Sequence, residues 1–131
     1  MQSQNRVGSK QKSTVVITDE LVNKYAAVTG DDNPLHLDEE YASETMFEER
    51  IAHGMLPMGI VSSTLAEFEG TIVYLSQDAQ FLNPISIGSE VEVCCTILKQ
   101  LDDNKYKVET SVCDADTAQE YISGTAVILI Q

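Results

Sequence analysis

From Thr71 to the C-terminus the chain alternates apolar and polar residues with a period of two, and no other feature constrains its fold as tightly. Runs at residues 71–82, 90–101, 104–113 and 119–130 are rich in Val, Ile, Tyr and Thr. Turn signals separate them: Asn83-Pro84, Gly88-Ser89, Asp102-Asp103-Asn104 and residues 114–117. Four long strands joined by tight turns predict an antiparallel meander. A sheet patterned this way needs an apolar partner for its inner face. The one segment apolar enough is residues 53–68, the longest helical pattern, in which Met55, Met58, Val61, Leu65 and Phe68 form a stripe. Pro57 is tolerable only in a first turn, which puts the helix start near Gly54 or Met55, and Gly70 ends it. Small residues (Gly59, Ser62, Ser63 and Ala66) occupy much of what remains, as on a helix wrapped closely by something else. The predicted class is α+β, a curved antiparallel β-sheet wrapped around a long central α-helix.

Upstream, Thr14-Val15-Val16-Ile17 reads as a short strand. Thr18 can cap a helix whose first turn carries Asp19 and Glu20, favourable beside the helix's positive end. Ile17, Leu21, Tyr25 and Val28 fall on one face of it, and Gly30 stops it. A loop over residues 31–37 follows, and Asp38 caps a second short helix running to about Met46. Residues 1–13 read as a flexible N-terminal segment and residues 14–131 as a single domain, ordinary for a chain of 131 residues.

Composition narrows the function classes. Asp and Glu number 21 against 8 Lys and Arg, a net charge of −13, scattered as an acidic coat. Such a surface repels phosphates, so nucleic acid is not an expected partner. It also repels itself until salt screens it, which suggests a salt-rich cytoplasm. No apolar run approaches the ~18 residues a membrane span needs, and the polar N-terminus lacks a hydrophobic signal segment. A cytoplasmic protein is expected. Cys94, Cys95 and Cys113, an odd number without metal-ligand spacing, read as reduced, core-packed thiols.

Candidate chemistry gathers in residues 25–42, YAAVTGDDNPLHLDEEYA. Asp31 and His36 stand five residues apart on a turn stiffened by Asn33-Pro34, between helical segments. At close range a carboxylate and an imidazole adjust each other's proton affinity and can divide proton removal from proton delivery. Spacing alone also fits a water-facing turn Asp and a His bonded beneath the loop. His53-Gly54 is the second candidate, because N–H groups at a helix start can stabilise an oxyanion and glycine admits a ligand. For His53 a structural hydrogen bond is the simpler role. The chain has no phosphate-binding glycine loop, no nucleophile elbow and no evident metal cluster, so neither cofactor nor metal is expected.

Residues 25–42 resemble the signature of the MaoC-like, (R)-specific enoyl-CoA hydratases, also called hydratase 2. The similarity continues through Phe47-Glu48-Glu49-Arg50-Ile51-Ala52-His53-Gly54-Met55, and again at Gln80-Phe81-Leu82-Asn83-Pro84-Ile85 with Gly88. It implies the hot-dog fold and reversible hydration of a trans-2-enoyl-CoA to an (R)-3-hydroxyacyl-CoA, in fatty-acid breakdown or polyhydroxyalkanoate monomer supply. It implies catalytic roles for Asp31 and His36. Asp31 would take a proton from the attacking water; His36 would help hold that water and supply the proton to the α-carbon. The Gly54 N–H would stabilise the thioester oxygen. Asn33 would shape the loop, His53 and Ser62 would support the site, and Leu65 would line the acyl pocket. A homodimer joined edge to edge is expected. Asp32 departs from this scheme as a second carboxylate beside the first. Lys24, Arg50, Lys99, Lys105 and Lys107 are the cations available for CoA phosphates. The alternatives are a hot-dog acyl-CoA thioesterase and a non-catalytic acyl-binding hot-dog protein. The first is disfavoured because residues 55–66 carry no acid, Glu67 and Glu69 coming only at the far end. The second is disfavoured by the Asp31/His36 pair.

Overall fold

The computed structural model describes residues 6–131. Its elements are β1 (Lys10–Val16), α1 (Asp19–Thr29), α2 (Pro34–Leu37), α3 (Glu39–Ser43), α4 (Leu56–Leu65), β2 (Ile72–Phe81), β3 (Glu90–Asp102), β4 (Lys105–Asp114) and β5 (Glu120–Ile130). All five strands form one antiparallel sheet in the order β1-β3-β4-β5-β2.

The four strands from residue 71 onward form where the alternation predicts them, but they are not a simple meander. Only β3, β4 and β5 follow one another; β2 pairs with β5 at the far edge. β3 lies between β1 and β4, which leaves it no free edge for β2. The intervening link instead crosses the fold, where the Ala52 N–H donates to the Ile85 carbonyl at 2.8 Å and Ile51 bridges Ser86. Register shifts fall at Leu75, Leu98 and Leu101. Such bulges bend a strand and increase its twist, and all three leucines are left exposed.

The core lies between α4 and the inner sheet face. Leu56, Met58, Val61 and Leu65 of α4 are buried against Val91, Val93, Cys95, Ile97, Val108 and Ile128 among others. Each such aliphatic contributes roughly 1.5–3 kcal/mol by leaving water. The α4 helix is shorter than its sequence pattern, because residues 54–55 form a turn ahead of it and its regular hydrogen bonding ends before Phe68. Met55 consequently leaves the stripe and is exposed. The small-residue flank of Gly59, Ser62, Ser63 and Ala66 also faces outward in the single chain.

Three further expectations shift. β1 begins at Lys10, so residues 10–13 pair with β3 and leave the expected flexible segment; residues 1–5 of that segment lie outside the described residues. In α1 the Thr18 cap and the left-handed Gly30 stop form as expected, but Val28 is 86% exposed. Val22 and Ala26 are the buried residues, with Leu21 and Tyr25 packed beside them. Val28 lies six residues beyond Val22, roughly 240° around the helix and off that face. The α3 helix ends at Ser43 rather than near Met46. Cys95 is buried and Cys94 and Cys113 are half-buried, all free; burial pushes the Cys95 thiol up to about 12. Among the described residues no helix is long and apolar enough to cross a membrane.

Candidate active site

The loop expected over residues 31–37 contains a single helical turn, α2, and its construction is local. Gly30 adopts φ 80° and returns its N–H to the Ala26 carbonyl, closing α1. The Asn33 side chain caps α2 by accepting the Leu35 N–H at 3.0 Å, with Pro34 in the first turn. Asn33 thus shapes the loop.

A four-residue helix cannot hold itself together, since forming the first turn is the unfavourable step. Residues 50–53 hold it from outside. Arg50 Nε donates to the His36 carbonyl at 2.9 Å, His36 Nδ1 donates to the Ile51 carbonyl at 2.7 Å, and His53 Nε2 donates to the Asp31 carbonyl at 2.9 Å. Carbonyls only accept, so these contacts assign the tautomers: neutral His36 carries its proton on Nδ1, neutral His53 on Nε2. His36 therefore keeps an Nε2 lone pair free of the backbone.

The two rings lie with centroids 4.0 Å apart and planes tilted by 33°, and the Tyr25 ring lies 4.7 Å from His53 at 53°. His53 is 2% exposed, and its Nδ1 is buried with no hydrogen-bond partner. Burial holds its pKa below the ordinary value of 6.5, reinforced by the His36 charge and opposed by the hydrogen bond to Asp31. Asp31 is exposed, while His36 is 9% exposed.

Asp31, His36 and His53 offer ligand atoms within 4.8 Å of one another, a convergence not evident from sequence spacing. Each ring keeps one nitrogen on a backbone carbonyl and leaves the other without a hydrogen-bond partner among the described residues.

His36 opens onto a cavity of about 360 Å³ that is also lined by Phe47, Ile51, Gly54, Phe81 and Ile85. Among the described residues the Gly54 N–H has no intramolecular acceptor. A Cβ on Gly54 would stand 3.0 Å from Phe81 Cδ1, so the glycine keeps the cavity wall open. Asp31, His36 and His53 are thus brought together, and His36 shares the cavity with Gly54, whereas Asp31 does not line it. Ser62 is exposed on α4 and Leu65 is 1% exposed in the core against the sheet, so neither lines this cavity. Asp32 is exposed and outside the cluster. Sequence reasoning missed Tyr25 and Phe81 as site neighbours and counted Arg50 only among the five cations available for CoA phosphates. The Arg50 side chain is only 16% exposed and lies 2.6 Å from Asp19.

A sheet curled around one helix, with an Asp/His pair across from a free glycine N–H at that helix's start, defines a hot-dog-fold hydro-lyase. Comparison with known proteins agrees. Residues 2–118 match the MaoC like domain, and the chain belongs to that family. It is 29% identical over 125 residues to the (R)-specific enoyl-CoA hydratase of Rhodospirillum rubrum, covering 94% of this chain and 86% of the relative. It is 38% identical over 108 residues to a mitochondrial 3-hydroxyacyl-[acyl-carrier-protein] dehydratase of Arabidopsis thaliana, covering 81% of this chain and 64% of that one. The crystallised (R)-hydratase of Aeromonas caviae, involved in polyhydroxyalkanoate biosynthesis, superposes over 100% of both chains with TM-score 0.91 at 30% identity.

Proposed function

We propose that this enzyme adds water reversibly across the 2,3 double bond of a trans-2-enoyl-CoA, giving the (R)-3-hydroxyacyl-CoA. The observation that carries the reading is the backbone-pinned His36, which stands beside Asp31 and lines, with Gly54, one largely apolar cavity. In the hydration direction Asp31 enters as carboxylate and His36 as imidazolium. Asp31 accepts a proton from water as the water oxygen bonds the β-carbon. The displaced electron pair moves toward the thioester, and the Gly54 N–H stabilises the resulting enolate oxygen. His36 Nε2 then delivers its proton to the α-carbon while Nδ1–H stays on the Ile51 carbonyl. One water has been added, and proton exchange with solvent resets the pair. The dehydration runs the same steps backward.

The enzyme works in this reading as a cytoplasmic homodimer suited to high salt. Support for the dimer is the edge strand β2, which presents Val73, Tyr74, Leu75 and Phe81 to solvent in the single chain. The (R)-3-hydroxyacyl product suits polyester monomer supply or fatty-acid breakdown.

The test is purified protein with crotonyl-CoA in high KCl. Loss of the enoyl absorbance with an (R)-3-hydroxy product is expected; release of free thiol would make the enzyme a thioesterase instead. Asp31→Asn and His36→Gln should each lower kcat by about 10²-fold or more. Full activity in both would remove them from the mechanism.

A further inference from the structure

Arg50 ties two elements together through one side chain. Its Nε donates to the His36 carbonyl at 2.9 Å, and its Nη2 lies 2.6 Å from Asp19 Oδ1 in the first turn of α1. The Asp19 contact is an ion pair rather than an aligned hydrogen bond. The guanidinium is largely covered, with the arginine side chain 16% exposed against 60% for Asp19, and it does not line the cavity. The next residue along, Ile51, holds the His36 ring. Backbone and ring of one catalytic histidine are therefore fixed by two consecutive residues.

We propose that Arg50 is a positioning residue for His36, bracing the single-turn helix α2 against α1, and not a ligand of the CoA phosphates. The carbonyl it holds is one of the four that end a helix without an internal partner, and α2 has no second turn to steady it. A planar guanidinium spans two partners in fixed directions, whereas a lysine ammonium is a point charge on a flexible stem. If the brace goes, His36 loses the direction of Nε2 before it loses its chemistry. A small misplacement of that kind lowers turnover more than affinity.

This inference rests on the hydratase reading, so wild-type hydration of crotonyl-CoA is measured first. Absence of activity there fails the reading itself, before any Arg50 variant is compared. With wild type active, Arg50→Lys should lower kcat by about ten- to a hundredfold. Its KM for crotonyl-CoA should stay within about twofold. Arg50→Ala should recover part of its kcat on addition of millimolar guanidinium, with equal NaCl giving none. A rise in KM at constant kcat would make Arg50 a phosphate ligand and overturn the proposal.

A substrate-free readout is available because the chain contains only 2 histidines, both in the site. Nitrogen NMR of the wild type, at a pH where both rings are neutral, should show a pure Nδ1–H tautomer for one histidine and Nε2–H for the other. In Arg50→Lys the first should become a mixture of tautomers; retention of the pure form overturns the proposal. Should the Arg50 variants fail to fold, Asp19→Asn cuts only the outer anchor and leaves the site groups in place. A several-fold fall in its kcat at constant KM supports the brace, and an unchanged kcat rejects it.

Discussion

His53 sits against His36 and Asp31 and is itself kept from titrating normally. Its Nε2 supports the Asp31 carbonyl and its Nδ1 faces no acceptor, so a second proton would be a buried donor without a partner. Burial, the leading cause, lowers its pKa below 6.5 in the fold, while the unfolded chain titrates near that value. As pH falls the unfolded state takes the proton first. The contribution of neutral His53 is therefore complete above about 6.5 and is lost as pH drops through that value toward the lower folded one. Falling pH also relieves the acidic coat, so the comparison must be internal. The difference in melting temperature between wild type and His53→Gln, in molar KCl, should narrow from pH 7.5 to pH 5. A constant offset would mean that His53 carries no such linkage. Sequence singled out Asp31, His36 and Gly54 as candidates through turn and helix-start chemistry written in adjacent residues, and the family resemblance supplied their implied roles. Tyr25 and Arg50 were not, because their partners, His53 and His36, stand far along the chain and meet them only through packing.

At the scale of elements, the sheet depends on one close approach between strands. A Cβ on Gly124 of β5 would stand 2.1 Å from the Asp78 carbonyl oxygen of β2, which is backbone and cannot swing aside. Across the same pair Asp78 Oδ1 accepts the Thr125 N–H at 2.9 Å. Gly124→Ala must therefore part β2 from β5 locally. A loss of about 3 kcal/mol is expected, at the upper end for overpacking. Thermal unfolding should show it as a fall of roughly 10 °C. A melting temperature within a degree or two of wild type would mean that β2 shifts freely. The strand positions themselves were readable, since turn signals bound every run and burial alternates along β4 and most of β3. The strand order was not, because alternation says which face is buried and nothing about which edge a neighbour takes. The face of α1 was misread for a related reason. Leu21, Tyr25 and Val28 satisfy helical spacing, but the surface α1 rests on selects Val22 and Ala26, a choice made by tertiary contact.

For the whole molecule the governing quantity is charge. Against a net charge of −13, the described residues form only two ion pairs, Lys24–Glu20 at 4.0 Å on the surface and Arg50–Asp19. The first contributes little. The second is occupied with the loop, which leaves the acidic coat largely uncompensated. At about 0.1 M salt the Debye length is ~10 Å, so neighbouring carboxylates repel one another; near 1 M it is ~3 Å and most of that repulsion is gone. Folding concentrates the charges and unfolding spreads them, so screening favours the folded state. The melting temperature should climb by several degrees between low and molar KCl, and by the same amount in NaCl, because screening depends on ionic strength and not on the cation. Substrate binding should follow the same trend, since CoA phosphates approach a like-charged surface. KM for crotonyl-CoA should fall as KCl rises. Turnover should change much less, because His36 is buried and lines a largely apolar cavity. A flat melting temperature would show that the charges are already far enough apart to ignore one another. A KM that rises with salt would show that the CoA phosphates are held by cations after all, with Lys24, Lys99, Lys105 and Lys107 then the residues to mutate.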